Sequence, residues 1–159
     1  MIYEKEILMI SEEDYKGNDT WRGDLSMYGD DVFLFVDKET NKIIAEVAMI
    51  DDFSYMKIDN FEVRPGIRRE GIARECIKLF MDYVISIGKK GLTGDSTQEA
   101  TPFWHRIGAE IIFPDDCDDC NGDCDSCEYY DEDELNEFTL KSRSFYSYYE
   151  TRRNKNGYL

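Results

Sequence analysis

Apolar residues in this chain change their spacing from segment to segment, and the change separates strands from helices. The runs "VFLFVD" and "KIIAEVAMI" are continuous and β-rich, and "KETN" joins them as a hairpin. Tyr3 to Ile10 reads as an earlier strand, and "YMKIDNFEV" as a later one ended by Pro65. The polar, glycine-containing stretch from Ser11 to Asp30 has little periodicity and reads as loop or short helix. Between Arg69 and Ile87 the period becomes helical, with Ile72, Cys76, Leu79, Phe80, Tyr83, Val84 and Ile87 on one face. Ala73, Ile77, Met81 and Ile85 widen that face, leaving Arg74, Glu75, Lys78, Asp82 and Ser86 as a narrow wet stripe. A largely buried helix is predicted, closed at Gly88.

Further on, "GLTGDST" is a short strand, "EATPFWHRIG" a second, shorter helix also closed by glycine, and "AEIIF" and "NEFTLKS" two more strands. Strand, long helix and strand in succession imply a parallel pair with a right-handed crossover, in a sheet otherwise built from hairpins. The expected class is mixed α/β, and 159 residues suit one sizeable core.

Charge narrows the partners. With 19 Lys and Arg against 35 Asp and Glu, the net charge is −16, which repels phosphate backbones and anionic membrane surfaces and attracts cations. No nucleic-acid or membrane partner is therefore expected, although an acidic decoy for a nucleic-acid-binding protein is a conceivable use of such a surface. The start "MIYEKEILMISEEDYK" lacks the pattern of a signal peptide, and no segment has the roughly 18 apolar residues of a membrane span, so a cytoplasmic location is expected.

The junction "FEVRPGIRREGIAREC" carries the first chemistry. A helix start leaves backbone N–H groups without intrahelical acceptors and carries partial positive charge, so anions bind there readily. Gly71 permits close approach, Ala73 keeps the next turn slim, and Arg68, Arg69 and Arg74 add formal charge; a pyrophosphate suits such a place. A short glycine pattern of this kind also fits an ordinary helix start with solvated arginines.

In context, "VRPGIRREGIA" resembles the acyl-CoA pyrophosphate loop of the GNAT acetyltransferase superfamily, and "ATPFWHRIGAEI" is similar to that family's second-helix segment. The order of strands and helices from Tyr3 to Ser142 is similar too. The resemblance implies a GNAT acyl-CoA N-acyltransferase fold: a central, mostly antiparallel mixed sheet with a splayed parallel pair, flanked by helices. It implies one domain over residues 1–159, with an acidic cysteine-rich insertion at 114–134 and a basic, aromatic tail at 143–159. It also implies acetyl-CoA as co-substrate. The backbone of Phe61 and Val63 would hold the pantetheine arm, and the amides of Arg68, Arg69, Glu70, Gly71, Ile72, Ala73 and Arg74 the pyrophosphate. Phe103 and Trp104 would flank the cofactor; core packing of an amphipathic helix is the other reading of them, and the two can coexist. Thr97 stands where the family often has Asn.

Acetyl transfer to an amine requires a group to take the amine's proton, since a primary amine of pKa about 10.4 arrives charged. Glu62 is the first candidate and Asp59 the second, on opposite faces by strand alternation; either could equally be a solvated strand carboxylate. A backbone amide near Val63 would meet the oxyanion. Family members often protonate the leaving thiolate with a tyrosine, but Trp104 occupies that position here and its indole N–H is no acid. His105 would point about 100° away around the helix, as a surface residue. The tail tyrosines Tyr146, Tyr148 and Tyr149 are other candidates for the proton.

Cys117, Cys120, Cys124 and Cys127 in "CDDCNGDCDSC" have the number and softness for a structural tetrathiolate zinc, although both pairs sit unusually close and free thiols are the competing reading. Two functions follow: an N-acetyltransferase for a cationic small-molecule or peptide amine, or a catalytically silent acyl-CoA-binding sensor. The tail "SRSFYSYYETRRNKNGYL" would either add an edge strand to a second subunit, making a homodimer, or fold back over the acidic insertion.

Overall fold

The hairpin expected at "KETN" forms. A computed structural model describes residues 6–21, 31–67, 71–112 and 135–155, with side chains as far as residue 152. Asp37 builds the turn: its Oδ1 accepts the amide of Glu39 at 2.8 Å, its carbonyl accepts that of Asn41 at 2.8 Å, and Asn41 takes a left-handed φ of 61°. The described residues divide into two compact units, Met1–Leu92 and Thr93–Leu159.

In the first unit β1 (Ile7–Ser11), β2 (Asp31–Asp37), β3 (Ile43–Asp52) and β4 (Tyr55–Val63) lie side by side in that order, each antiparallel to the next. A short 3-10 helix, Glu12–Asp14, follows β1. Helix α1 (Ile72–Ser86) leads to β5 (Gly91–Ser96), which starts in this unit. The amide of Lys90 donates to the carbonyl of Ser54 at 2.6 Å, placing the start of β5 beside the start of β4, so these two strands run parallel with α1 as their crossover. The class is therefore mixed α/β, with seven strands among the described residues, mostly antiparallel and with one parallel pair.

Register sorts the side chains of β2 to β4 onto two faces. One carries Phe33, Phe35, Val47, Met49, Ile58 and Phe61, and α1 packs there: the rings of Phe33 and Tyr83 are 4.9 Å apart. Ile72, Cys76, Ile77, Phe80, Met81 and Val84 of α1 are buried, as its spacing predicts, while Ile85 and Ile87 at its end are exposed. The other face carries Leu34, Val36 and Ile43, packed against Ile10, Tyr15, Trp21 and Val32. At the end of α1 the amides of Gly88 and Lys89 donate to the carbonyls of Ile85 and Val84, and Gly88 takes φ 91°. That paired closure needs the left-handed residue glycine supplies.

The second unit contains most of β5, then α2 (Thr101–Arg106), β6 (Glu110–Ile112), β7 (Asn136–Lys141) and α3 (Ser142–Lys155). Its strand order is β5-β7-β6, with Ile111 opposite Phe138 in the antiparallel β6–β7 pair. The described part of the tail corrects one expectation: it is a helix, so its use as an added edge strand falls. Phe145 and Tyr149, one turn apart, are both buried with rings 5.9 Å apart, whereas strand alternation would put Phe145 and Tyr149 on one side together with Ser147. Aromatic content favours strands only as a surface to pack on, and helical spacing decided here.

Candidate active site

The site expected from sequence begins on β4. Its residues pair regularly with β3 as Glu46 with Glu62, Val47 with Phe61 and Ala48 with Asn60; the next pair is Met49 with Ile58. Asp59 is thus an extra residue, a β-bulge, and is exposed. Simple alternation does not run through a bulge, so the opposite-face relation expected of Asp59 and Glu62 has no basis in this strand. Phe61 and Val63 share the α1 face, and Glu62 lies on the other, half-buried, with Asn60 and Glu46.

At the helix start, Gly71 takes φ 96° and precedes the first helical residue. The amide of Glu75 donates to the carbonyl of Gly71 at 2.9 Å, so the N–H groups of residues 71–74 precede the first bonded turn and have no intrahelical acceptor. A Cβ at Gly71 would come within 3.1 Å of Nη2 of Arg74, whose guanidinium lies over the glycine with its Nε 3.5 Å from the Glu75 carboxylate. Ile72 is buried and Ala73 half-buried. The residue types fit a diphosphate: a cationic side chain, a bare backbone position and unspent amides converge on one helix terminus. Arg68, Arg69 and Glu70 lie outside the described residues, as do Cys117, Cys120, Cys124 and Cys127; among the described residues no cluster of three metal-ligating side chains occurs.

A feature not anticipated from sequence closes β4. Arg64 donates to the carboxylate of Asp19 and, at 3.2 Å, to the carbonyl of Ile43, with its guanidinium 5.8 Å from the ring centre of Trp21. The same carboxylate accepts the amides of Ile43 at 2.9 Å and Trp21 at 3.2 Å. Partial burial alone would raise the pKa of Asp19, but these backbone bonds and the Arg64 cation outweigh it and hold the carboxyl below its ordinary range. Cys76, fully buried in α1, has its thiol pushed up by burial and by the nearby Glu75, which makes it a packing residue rather than a nucleophile.

In the second unit, Thr97 uses its side chain locally: Oγ1 accepts the amide of Ala100 at 3.1 Å, while its carbonyl accepts the Thr101 amide and hydroxyl. Ser96, Thr101 and the fully buried Asn136 form a hydrogen-bonded group, with Asn136 Nδ2 donating to Thr101 Oγ1 at 3.0 Å. Trp104 is buried and stacks on Phe138 with ring centres 4.0 Å apart, Phe103 is half-buried at its edge, and His105 is exposed as expected. Trp104 therefore packs in the core of the second unit.

A family model described as the acetyltransferase (GNAT) family matches residues 4–109, taking in β1 to β5, the Gly71 helix start and α2. The chain belongs to the GNAT acetyltransferase family. Among solved structures, this GNAT chain is similar to an N-acetyltransferase, itself described as putative, from Lactobacillus plantarum, at 12% identity and a TM-score of 0.54, over 70% of this chain and 68% of that one. It is also similar to mutant forms of the spermidine/spermine N-acetyltransferase SpeG from Vibrio cholerae, at 12% identity and a TM-score of 0.53, over 74% and 67% of the two chains. A third, an N-acetylglutamate synthase from Neisseria gonorrhoeae complexed with coenzyme A and N-acetyl-glutamate, shares 14% identity at a TM-score of 0.50, over 69% of this chain but 25% of that one. At these identities the likeness is one of fold. No curated protein matches the chain. No helix among the described residues of this GNAT protein is long and apolar enough to cross a membrane.

Proposed function

We propose that this GNAT chain, acting in the cytoplasm, transfers the acetyl group of acetyl-CoA to a primary amine of a cationic acceptor, by direct attack in a ternary complex. The observation that carries the proposal is the start of α1, where Gly71 is left-handed and the amides of the first turn have no intrahelical acceptor, an arrangement suited to a diphosphate. The backbone of Phe61 and Val63 holds the pantetheine arm, and residues 68–74 the pyrophosphate. Glu62 is the catalytic base. Glu62 takes one proton from the ammonium, the freed amine nitrogen attacks the thioester carbonyl and forms the C–N bond, the nitrogen gives its second surplus proton to solvent, and the C–S bond then breaks. The thiolate leaves and takes its proton from solvent, since Trp104 has none to give. A net charge of −16 favours a cationic acceptor, and the Vibrio cholerae enzyme of similar fold is named for spermidine and spermine.

The test follows free CoA thiol in the presence of acetyl-CoA and a panel of polyamines, aminoglycosides, lysine and peptide N-termini. Glu62→Gln is expected to lower kcat by about 10²–10⁴ with little change in acetyl-CoA affinity. Thiol release by Glu62→Gln at the wild-type rate removes the assigned base. Trp104 at the usual donor position favours a second reading, a silent acyl-CoA sensor; tight acetyl-CoA binding without release to any amine would establish it. A structural zinc on Cys117, Cys120, Cys124 and Cys127 is supported by the number and softness of their thiolates, and one zinc per purified chain by elemental analysis is expected; a zinc-free, fully folded chain refutes it.

A further inference from the structure

The turn between β3 and β4 carries a residue that its backbone disfavours. Asp52 pairs with Tyr55, so the loop consists of Phe53 and Ser54, and only the first of them takes a left-handed φ, at 58°. Glycine leads at that position of a two-residue hairpin, with asparagine and aspartate next. A bulky L side chain there is a conformational outlier and is strained. Packing does not offset the strain, because Phe53 is 91% exposed. Stability of the hairpin therefore does not account for the phenylalanine, and strain kept in place against packing points to a use of the side chain itself.

The projecting ring stands on a fixed base. Lys89 Nζ donates to the carbonyl of Phe53 at 2.6 Å and to the carboxylate of Asp51, and the amide of Lys90 donates to the carbonyl of Ser54 at 2.6 Å. Both loop carbonyls are thus tied to the turn between α1 and β5, and the side chain of Lys89 is only 12% exposed. The same turn follows Ile85 and Ile87, both exposed, at the end of α1. An aromatic side chain on a backbone already held in place gives up little freedom when it is covered, and aromatic anchors of this kind carry much of the energy of protein interfaces.

Charge selects what covers it. The chain carries −16, which keeps copies apart wherever that charge faces itself. The charged residues flanking the loop and its Ser54–Lys90 contact are Asp51, Asp52, Lys89 and Lys90, two of each sign. The carboxylates belong to the hairpin and the ammonium groups to the α1–β5 turn, so a two-fold axis here sets the acidic side of one copy against the basic side of the other. The amides at Gly71 lie at the opposite end of a fifteen-residue helix, roughly 22 Å away, and stay clear of this end.

We propose that the Phe53 tip is a self-association site, at which two copies of this chain pair about a two-fold axis and each Phe53 ring is covered by the end of α1 and the Lys89–Lys90 turn of the other. One hairpin tip and one helix end make an interface at the small end of the specific range, so the dimer is weak and depends on concentration.

Sedimentation velocity of the full chain over about 5–500 µM tests this, with half-association expected at about 10–100 µM. Phe53→Asn suits the left-handed backbone, so its melting temperature is expected to equal or exceed that of the wild type while association weakens at least about tenfold. Lys90→Glu unbalances the charge at an exposed position and is expected to weaken association about fivefold. A wild type that is monomeric throughout, a Phe53→Asn chain that still pairs or that melts lower, or a Lys90→Glu chain that pairs as tightly as the wild type would each overturn the proposal. So would a monomeric wild type that sediments with phosphatidylcholine vesicles, which would assign the ring to a lipid surface.

Discussion

Replacing Gly71 with alanine separates two demands that meet at one residue. The backbone there has φ 96°, and an L side chain in the left-handed region costs about 1–2 kcal/mol. The added Cβ would also come within 3.1 Å of Nη2 of Arg74, but that is the far end of a flexible side chain and can move at little cost. Stability should thus fall by about 1–2 kcal/mol, and the melting temperature by roughly 2–8 °C for a chain of this size. Acetyl-CoA should suffer more than this strain explains. Loss of close approach to a charged phosphate forfeits a charge-assisted hydrogen bond of about 1.5–3 kcal/mol, which weakens binding by about 10- to 100-fold. Calorimetry with acetyl-CoA measures the second quantity and thermal unfolding the first. Gly88→Ala is the control, since it has the same backbone strain at φ 91°, nothing within 4 Å of its Cβ, and a place at the far end of α1. It should lose stability alone. Gly71→Ala with the expected melting shift but acetyl-CoA affinity within about twofold of wild type would refute the reasoning, because Gly71 would then serve only the turn.

Three further outcomes follow from the packing. Trp104→Ala removes a buried ring stacked on Phe138 and should cost about 3–5 kcal/mol in urea unfolding; a loss under about 1 kcal/mol would deny the stack its role. Asp19→Asn should lose about 1–3 kcal/mol at neutral pH, and the gap should close on acidification. Because the folded pKa of Asp19 lies below its ordinary value, its contribution is complete above that value and drains away as pH falls through the lower one; a gap unchanged down to about pH 2 contradicts the assignment. Asn136→Ala should cost about 1–3 kcal/mol by removing a fully buried amide together with its hydrogen bond to Thr101, and unchanged unfolding of the second unit would show the group to be incidental.

Much of this could be read from the chain. Continuous apolar runs placed β2 and β3 within a residue or two, because strands with a buried centre leave a simple record, and Pro65 marked the end of β4. Helical spacing over fifteen residues placed α1, and glycine placed both helix ends. The β4 bulge could not be read, because an extra residue shows only against its partner strand. Nor could the Asp19–Arg64 contact, which joins residues 45 apart in sequence through a loop without periodicity. Glu46 stands out as the single charge within "IIAEVAMI", but its pairing with Glu62 across the ladder does not show in the chain. In the tail, aromatic content outweighed the four-residue spacing of Phe145 and Tyr149, and the helix was missed.

The extra residue in β4 gives this strand an unusual tolerance of changes in length. The ladder is regular on either side of position 59, so deleting that one amino acid would join two matched halves and leave Phe61, Glu62 and Val63 aimed as they are now. A deletion elsewhere in the strand would turn its downstream half over and carry Glu62 to the helix side. Loss of a codon at this point therefore leaves the face that Glu62 shares with Glu46 unchanged.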